Sequence, residues 1–197
     1  MKRLICLALC LLAVFAVGCQ NGKKVNQSII YADWVVYETA EELAEKADNI
    51  FEGKITSISF AMVDLNTGRT LKSEEPGTQP MLHTIYTVEV TRSLKGKNDD
   101  VTSFCIIGGI PGKYEKEQYS TLSSFYGRSE ELNLPILDKR KELAVGESYL
   151  FLTCRLGGDY AQIVNIEQFA FSADNETPES GICYSDIVRY SEKYQSV

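Results

Sequence analysis

The stretch that decides the fold is IFEGKITSISFAM, residues 50–62. Its apolar side chains alternate with polar ones as in a β-strand, but Phe51 and Ile55 belong to one phase and Ile58 belongs to the other. Because a slip of one residue turns all following side chains to the opposite face, the change of phase near Thr56 predicts a bulge. We therefore expect one long, bent strand of the kind that a tightly curled barrel needs.

Four more segments have the composition and alternation of strands. In residues 81–94, Tyr86 and Val88 alternate with Thr87 and Glu89, which predicts one buried face and one wet face. The other predicted strands are residues 101–107, 149–156 and 160–165, and Phe169 and Phe171 continue the last of them.

Two short helices accompany the predicted strands. Residues 39–42, Thr-Ala-Glu-Glu, fit the capping box at a helix N-terminus, and this helix is expected to end near Asp48 or Asn49. Residues 185–194 predict a C-terminal helix, with Ile187, Tyr190 and Tyr194 on one face.

Five strands that begin with a long bent one, with a large insertion after the third, predict a small closed barrel of the OB type. The predicted fold class is therefore mainly β: a five-stranded OB-like barrel with a short N-terminal helix, a helical insertion between strands three and four and a C-terminal helix.

The N-terminus has the pattern of an export signal. Lys2 and Arg3 precede an unbroken apolar run over residues 4–17, which is shorter than the roughly 20 residues that a membrane-spanning helix needs. The run ends at Ala16-Val17-Gly18-Cys19, which resembles the bacterial lipobox. The resemblance implies that Cys19 receives a lipid and that the protein lies at the extracellular face of the cell membrane, anchored by that lipid. The alternative is a secreted soluble protein, because the small residues before Cys19 also satisfy ordinary cleavage.

These patterns divide the chain into four predicted parts. They are a lipoprotein signal peptide at 1–18, a tether at 19–38, an OB-like barrel domain at 39–172 and a C-terminal extension at 173–197. The insertion within the barrel domain covers residues 109–145. Trp34, the single tryptophan, lies in the tether and is interpreted either as a ligand platform or as an apolar plug where the tether joins the domain.

The charge of the chain argues against nucleic-acid binding. The 197 residues carry a net charge of -7, and residues 1–18 contain two of the 20 basic residues and none of the 27 acidic ones, so the remainder carries -9. A nucleic-acid binder needs a basic surface. We therefore expect no nucleic-acid partner, and we expect the lipid on Cys19 to make the membrane contact.

The cysteines do not predict a metal site or a cofactor. Cys6 and Cys10 belong to the signal and Cys19 to the lipid, which leaves three cysteines whose pairing stays open: Cys105, Cys154 and Cys183. They lack the close-spaced pairs typical of zinc sites.

Residues 64–68, Asp-Leu-Asn-Thr-Gly, have part of a calcium-loop pattern, but the glycine falls one place early.

The histidine content argues against an enzyme. His83 is the only histidine, and we expect it at the surface or at a strand end. A hydrolase would need His83 within hydrogen-bond reach of a serine, a cysteine or a carboxylate in a cleft. We therefore predict no catalytic residues.

The insertion at 109–145 is the predicted binding region, because OB barrels bind through loops that carry aromatic residues. The predicted ligand contacts are Tyr114, Tyr119, Phe125 and Tyr126. In the alternative interpretation, Tyr119, Leu122 and Phe125 form the apolar stripe of a short helix that caps the end of the barrel.

Three motifs carry a resemblance to a known family. They are ADNIFEGKI at 47–55, YTVEV at 86–90 with LKG at 94–96, and GESYLFL at 146–152. Together they resemble the netrin-like module and the tissue inhibitors of metalloproteinases over residues 45–170, and the chain is also similar to exported lipoproteins of Gram-positive bacteria. The resemblance implies an OB-like barrel but not inhibition, since an N-terminal cysteine that carries lipid cannot chelate a catalytic zinc ion as the inhibitors' cysteine does.

Three functions fit these expectations. The first is a membrane-anchored surface lipoprotein that acts as a non-catalytic binding module for an extracellular protein, peptide or glycan. The second is a structural or assembly lipoprotein of the envelope, which would expose less apolar surface over residues 109–145. The third is a hydrolase that uses His83.

Overall fold

The structure is a computed structural model that describes residues 26–127, 132–155, 157–173 and 181–194. The predicted signal peptide and Cys19 lie outside the described residues, as does the first part of the tether. None of the helices within the described ranges is long and apolar enough to span a membrane.

The chain contains three helices and nine strands within the described residues. The helices are α1 (Ala40–Lys46), α2 (Glu115–Tyr126) and α3 (Tyr184–Ser191), and a 3-10 turn (Glu192–Tyr194) follows α3. The strands are β1 (Asn26–Ile30), β2 (Asn49–Asp64), β3 (Thr70–Leu71), β4 (Pro80–Lys95), β5 (Val101–Ile107), β6 (Asn133–Leu137), β7 (Ser148–Cys154), β8 (Ala161–Ile163) and β9 (Ala170–Phe171). The prediction of a mainly β fold with an N-terminal helix, a helix in the insertion and a C-terminal helix is confirmed.

Helix α1 begins where its capping residues predict. The Thr39 side chain accepts a hydrogen bond from the amide of Glu42 at 3.2 Å. The Glu42 carboxylate reaches back to the amide of Glu38 at 3.3 Å, one residue before the cap. The helix ends at Lys46, slightly earlier than predicted, because the amide of Asp48 already donates to the carbonyl oxygen of Thr153 on the neighbouring strand.

Seven strands form one sheet that closes into a ring. Their order is β3-β2-β4-β5-β8-β7-β9, and a further pairing of β2 with β7 closes the ring through β2, β4, β5, β8 and β7. The pair β5–β8 is parallel, and the other four pairs of the ring are antiparallel.

Strand β2 is bent at the predicted place. Its pairing with β4 shifts register between Ile55 and Ser57, so Thr56 has no partner and the predicted bulge is confirmed. A second shift lies between Glu52 and Gly53, where β2 pairs with β4 on one side and with β7 on the other. A Cβ atom on Gly53 would lie 2.4 Å from a methyl carbon of Val88, so this close approach requires glycine.

Aromatic side chains fill the interior of the ring. They are Phe51, Tyr86, Phe104, Phe151 and Phe169, each fully buried. The rings of Tyr86 and Phe104 stack with their centroids 5.2 Å apart, and those of Phe104 and Phe151 are 5.1 Å apart, a spacing typical of favourable aromatic pairs.

Two further apolar clusters lie next to the core of the ring. Leu43 of α1 and Ile187 of α3 belong to the same cluster as Leu150 of β7, so both helices pack against the sheet. On another side, Leu122 and Phe125 of α2 pack against Leu82 of β4. The prediction of one buried and one wet face for residues 81–94 is therefore wrong for residues 82–86, which are buried on both faces.

The tether and the insertion meet in a strand pair that the sequence did not predict. Strand β1 from the tether pairs in parallel with β6 from the insertion, with Asn26 opposite Asn133 and Ile30 opposite Leu137. The amide of Asp138 also donates to the carbonyl oxygen of Ile30 at 3.0 Å. The insertion therefore contains a strand as well as a helix.

The C-terminal helix lies close to its predicted position. Ile187 of α3 is fully buried, whereas Tyr194 is 40% exposed and packs its ring under the Lys95 ammonium at 4.3 Å.

Cys105 and Cys154 carry free thiols. Burial raises the pKa of Cys105 to about 12, so this thiol is an inert core residue.

Candidate ligand-binding pocket

One cavity joins the β1–β6 pair to the loops at both ends of the insertion, and its volume is about 360 Å³. Its walls are mainly apolar and include Ile29, Ile110, Pro111, Ile136, Leu137 and Leu143. Its polar lining consists of Tyr86, Lys113, Tyr114, Asp138, Lys139, Arg140 and Glu142. An apolar cavity of this size with a few convergent polar groups has the character of a ligand site.

Arg140 is the principal polar group of the cavity. It is half-buried, and its Nη2 donates to the Tyr86 hydroxyl at 2.8 Å. Its Nη1 donates to the carbonyl oxygens of Gly108 and Gly109 at 3.3 Å and 3.2 Å. No carboxylate lies within 4.0 Å of its guanidinium among the described residues, whereas Arg69 pairs with one at 2.6 Å.

The segment at 108–109, whose carbonyl oxygens accept hydrogen bonds from Arg140, is held in place by the sheet. The Gly108 carbonyl oxygen also accepts a hydrogen bond from the buried Thr84 hydroxyl at 2.7 Å. Gly108 has a φ of +84°, and a Cβ atom there would lie 3.0 Å from the carbonyl oxygen of Pro135, so the turn requires glycine. The carbonyl group that faces Arg140 therefore has a fixed orientation.

A buried amide supports the loop on one side of the cavity. Gln118 of α2 is fully buried, and its Oε1 accepts a hydrogen bond from the Ile110 amide at 2.7 Å. Its Nε2 donates to the carbonyl oxygen of Ile110 at 3.0 Å and also to that of Lys113. The loop that follows β5 is thus tied to α2 at Ile110 and Lys113.

Two residues on the cavity wall have an unfavourable backbone conformation. Tyr114 has a φ of +55° and Lys139 has a φ of +53°, and they are the only non-glycine residues with positive φ in the described part of the chain. This left-handed conformation costs a side chain with a Cβ atom about 1–2 kcal/mol. Such strain concentrates at functional sites, and here both instances lie on the wall of one cavity.

The charges around the cavity are partly neutralised by ion pairs at its rim. Lys113 contacts Glu142 at 2.8 Å, and Lys139 contacts Glu167 at 3.8 Å. The hydrogen bond between Lys113 and Glu142 raises the pKa of Lys113 and lowers that of Glu142. Because both pairs are exposed to solvent, they order the rim more than they stabilise the fold.

The four predicted ligand contacts do not share one surface. Tyr114 lines the cavity, is 38% exposed and packs its ring against Phe60 at 5.9 Å. Phe125 is only 7% exposed and belongs to the cluster against β4, and Tyr126 packs edge-on against it at 5.0 Å. Tyr119 packs against the same cluster, and its hydroxyl donates to the Leu132 carbonyl oxygen at 3.3 Å.

The alternative interpretation of these residues describes α2 well. Leu122 and Phe125 are buried on one face of the helix, and Tyr119 is half-buried on the same cluster, so the predicted apolar stripe is confirmed. Ligand contact stays a prediction, and Tyr114 is the one of the four that the structure brings to the cavity around Arg140.

Trp34 packs against the core of the ring and lines a separate cavity. Its ring is half-buried against the aromatic cluster, as the plug interpretation expects. Its indole N–H is buried and has no acceptor among the described residues. The neighbouring cavity of about 350 Å³ is lined by Tyr31, Asp33 and Lys139 among others.

The expectation of a surface position for His83 is wrong. Its side chain is buried, with 4% exposed, because both faces of β4 are covered over residues 82–86. Its Nδ1 lies 3.1 Å from the carbonyl oxygen of Met81. Burial lowers the pKa of His83, and the nearby charge of Arg140 lowers it further. Within the described ranges, no serine, cysteine or carboxylate side chain is hydrogen-bonded to this ring.

The segment with part of a calcium-loop pattern is a hydrogen-bonded turn. The carboxylate of Asp64 accepts hydrogen bonds from the Gln79 amide at 2.8 Å, the Thr67 hydroxyl at 2.7 Å and the Asn66 amide at 3.3 Å. These bonds, that from Gln79 first, hold the pKa of Asp64 below its usual value. Asp64 therefore organises the turn between β2 and β3.

Sequence reasoning missed three of the residues that build the cavity. Arg140 lies in the charged run at 138–141, which is typical of a solvated turn. Tyr86 was expected as a core residue, and nothing in the sequence indicates that its hydroxyl reaches a cavity. Gln118 is a single amide on a helix, and its burial follows only from the contacts of the loop at 110–113.

Comparisons with known proteins do not assign a family. No protein-family model matches the chain, and no curated protein matches it. The resemblance to the netrin-like module and to exported lipoproteins therefore stays a prediction.

Proposed function

We propose that the protein is a membrane-anchored surface lipoprotein that acts as a non-catalytic binding module for an extracellular protein, peptide or glycan. The cavity around Arg140 is its ligand site. The observation that carries the proposal is that both strained non-glycine residues, Tyr114 and Lys139, lie on the wall of the cavity that holds the half-buried Arg140. Strain of this kind persists where a defined shape is needed for binding.

We further propose that the closed ring is a barrel of the OB type. Two features support this: five strands close the ring, and the first of them is long and bent by bulges. Barrels of this type bind ligands through their loops and one strand face. The cavity is bounded by loops at the two ends of the insertion, which agrees with that mode of binding.

The anchor in this proposal is the lipid on Cys19. Seven residue steps separate Cys19 from Asn26 at the start of β1, and an extended chain of that length spans at most about 25 Å. The cavity, to which Ile29 of β1 contributes, then lies close to the membrane surface. Labelled palmitate incorporation tests this: Cys19→Ala should abolish it and Cys10→Ala should leave it intact. Label that persists in Cys19→Ala contradicts the anchor.

A non-catalytic function is supported by the surroundings of His83. The recorded contact of its ring is a main-chain carbonyl oxygen, and the lowered pKa keeps the ring neutral at pH 7. A hydrolase would need a nucleophile or a carboxylate beside it. The hydrolase alternative therefore receives no support from this geometry.

Site-specific photo-crosslinking tests the ligand site. A benzophenone side chain is placed at Lys113, on the rim of the cavity, and for the control at Glu45, on the exposed face of α1. Irradiation of the cells that produce the protein should give an adduct from position 113 and none from position 45. Equal adducts from both positions, or none from position 113, contradict the proposal.

A structural or assembly role in the envelope is the second candidate. The observation that favours it is an exposed apolar segment after β1, where Tyr31, Val35 and Val36 are 77%, 69% and 56% exposed. If Val35→Ser with Val36→Ser removes the adduct from position 113 and Tyr114→Ala leaves it intact, assembly through this segment is the better account.

A further inference from the structure

The guanidinium of Arg140, a lining residue of the cavity, has donors to spare. An arginine has five N–H groups, and Arg140 makes three recorded hydrogen bonds, all of them from Nη1 and Nη2. Its Nε has no acceptor in the part of the chain that the structure describes. The Nε–H and a neighbouring Nη2–H together form the fork that a carboxylate occupies in a bidentate pair.

Tyr86 holds the Arg140 guanidinium in its orientation. Its hydroxyl oxygen accepts the hydrogen bond from Arg140, and within the described residues no acceptor is recorded for its own hydrogen. Both residues line the cavity. Because Tyr86 is fully buried, its hydroxyl orients the guanidinium from the core side, and a ligand oxygen in the cavity is received by Arg140.

The cavity has a net positive lining in an acidic protein. Three of its residues are cationic, Lys113, Lys139 and Arg140, and two are anionic, Asp138 and Glu142. Lys113 contacts Glu142 of the lining and Lys139 contacts Glu167 outside it, so Arg140 and Asp138 are the charged lining residues without an ion pair among the described residues. The half-buried charge of Arg140 is stabilised by an anion that enters the site.

The same lining favours a single negative charge over a double one. One unpaired guanidinium balances one carboxylate, whereas the second charge of a phosphate dianion would be repelled, uncompensated, by the lining carboxylates Asp138 and Glu142. The remaining walls are formed by side chains such as Ile110, Ile136 and Leu143, which need an apolar partner. The volume of about 360 Å³ is at the lower end of the range for ligand pockets, so the ligand is small or is the end of a chain.

We propose that the cavity binds a monocarboxylate carried on a branched or aromatic apolar group, with the carboxylate on Arg140. The proposal rests on the cavity being the ligand site of the binding module. The same chemistry occurs in a free organic acid and at the C-terminus of a peptide that ends in an apolar residue.

Binding to the full chain tests this ligand class by titration calorimetry and NMR. The probes are N-acetyl-L-leucine, its neutral amide, 4-methylpentanoate and inorganic phosphate. We expect the two carboxylates to bind at least about tenfold more tightly than the amide or phosphate, because only they match the arginine fork and the apolar walls. Tighter binding of N-acetyl-L-leucine than of 4-methylpentanoate indicates a peptide terminus, and the reverse indicates a free acid.

Two arginine variants locate the contact. Arg140→Gln should weaken carboxylate binding at least about tenfold. Arg155→Gln should not change it, because Arg155 is exposed and its guanidinium donates, within the described residues, to the Lys97 carbonyl oxygen. If Arg140→Gln does not fold, the comparison of acid with amide on the unaltered chain still decides the matter.

The outcomes separate this proposal from the function on which it rests. Equal binding of acid and amide, or phosphate binding as tight as that of the carboxylates, overturns the ligand class. A crosslink from position 113 would then still support the cavity as the ligand site. Absence of binding by both carboxylates also overturns the ligand class, and if the crosslink is absent as well, the proposed function falls with it.

Discussion

The Nη2 of Arg140 lies 2.8 Å from the hydroxyl oxygen of Tyr86 and joins the cavity to the interior of the ring. The ring of Tyr86 is fully buried and stacks on Phe104, so its position is set by the core of the sheet. Arg140 comes from the far end of the insertion. One hydrogen bond therefore ties the orientation of a candidate ligand contact to the packing of the core.

The contribution of the hydrogen bond between Arg140 and Tyr86 is measured by removing the Tyr86 hydroxyl. Tyr86→Phe keeps the stacked ring but leaves the Arg140 Nη2 without its acceptor, and we expect the free energy of unfolding to fall by about 1–2 kcal/mol. Urea denaturation gives the value. Tyr31→Phe is the control, because that hydroxyl is on a ring that is 77% exposed, and its effect should stay within about 0.5 kcal/mol. Equal losses in the two variants contradict the connection.

Gln118 is expected to hold the wall of the cavity. Gln118→Leu leaves the amide and the carbonyl group of Ile110 buried without partners, and it should lower the free energy of unfolding by about 2–4 kcal/mol. Amide hydrogen exchange at Ile110 should accelerate as well. Gln79→Leu, at an exposed glutamine, should change the stability by less than about 0.5 kcal/mol. Unchanged exchange at Ile110 in the Gln118 variant would show that the amide does not fix the loop.

The strain at Lys139 predicts that a substitution stabilises the protein. Lys139→Gly removes the clash of the Cβ atom at a φ of +53°, and after the entropy cost of glycine we expect a gain of about 0.5–1 kcal/mol. The same change at Lys72, an exposed lysine whose φ is not positive, should cost about 0.5–1 kcal/mol. Thermal and urea unfolding of both variants compare them. A loss of stability in both would refute stored strain at the cavity.

Asp64 predicts a defined pH dependence. Its hydrogen bonds lower the folded-state pKa below the usual value of 3.8, so the stabilisation is fully present above the unfolded pKa of about 3.9 and is lost as pH falls through the folded value. Asp64→Asn removes this contribution. The wild type should therefore be more stable than the variant by a constant amount between about pH 5 and 8, and the difference should shrink below about pH 4.

Urea unfolding at pH 7 and at pH 3.5 checks the Asp64 prediction. Asp99→Asn is the control at pH 7, because no hydrogen bond to the exposed Asp99 side chain is recorded among the described residues, and its free energy of unfolding should equal that of the wild type. A difference between wild type and Asp64→Asn that grows toward acid pH is the opposite of the expected sign.

The strands of the ring were predictable because their information is local. Alternation marks β4 and β5, and the change of phase near Thr56 marks the bulge, which is a property of neighbouring residues in one strand. The pairing of β1 with β6 is not local. It joins short segments from the tether and the insertion, and the alternation of neither segment specifies its partner.

The candidate site was predictable only where a residue type in its local sequence indicates a ligand contact. Tyr114 was identified because an aromatic residue in a loop is a common ligand contact. Arg140 was not, because its role depends on the Tyr86 hydroxyl and the Gly108 carbonyl oxygen, which reach it through the fold. Of the two positions expected for His83, the surface is wrong, since both faces of β4 are covered over residues 82–86 by contacts that the alternation of one strand does not specify.

The central claim is that the cavity around Arg140 binds the ligand, and methyl NMR of isoleucine-labelled protein tests it most directly. On addition of N-acetyl-L-leucine, the methyl signals of Ile29, Ile110 and Ile136 should shift, because these residues line the cavity. Those of Ile50 and Ile187, which pack under α1 and α3, should stay in place. Shifts that centre on Ile166 beside the Trp34 cavity, with none at Ile29, Ile110 and Ile136, would contradict the account.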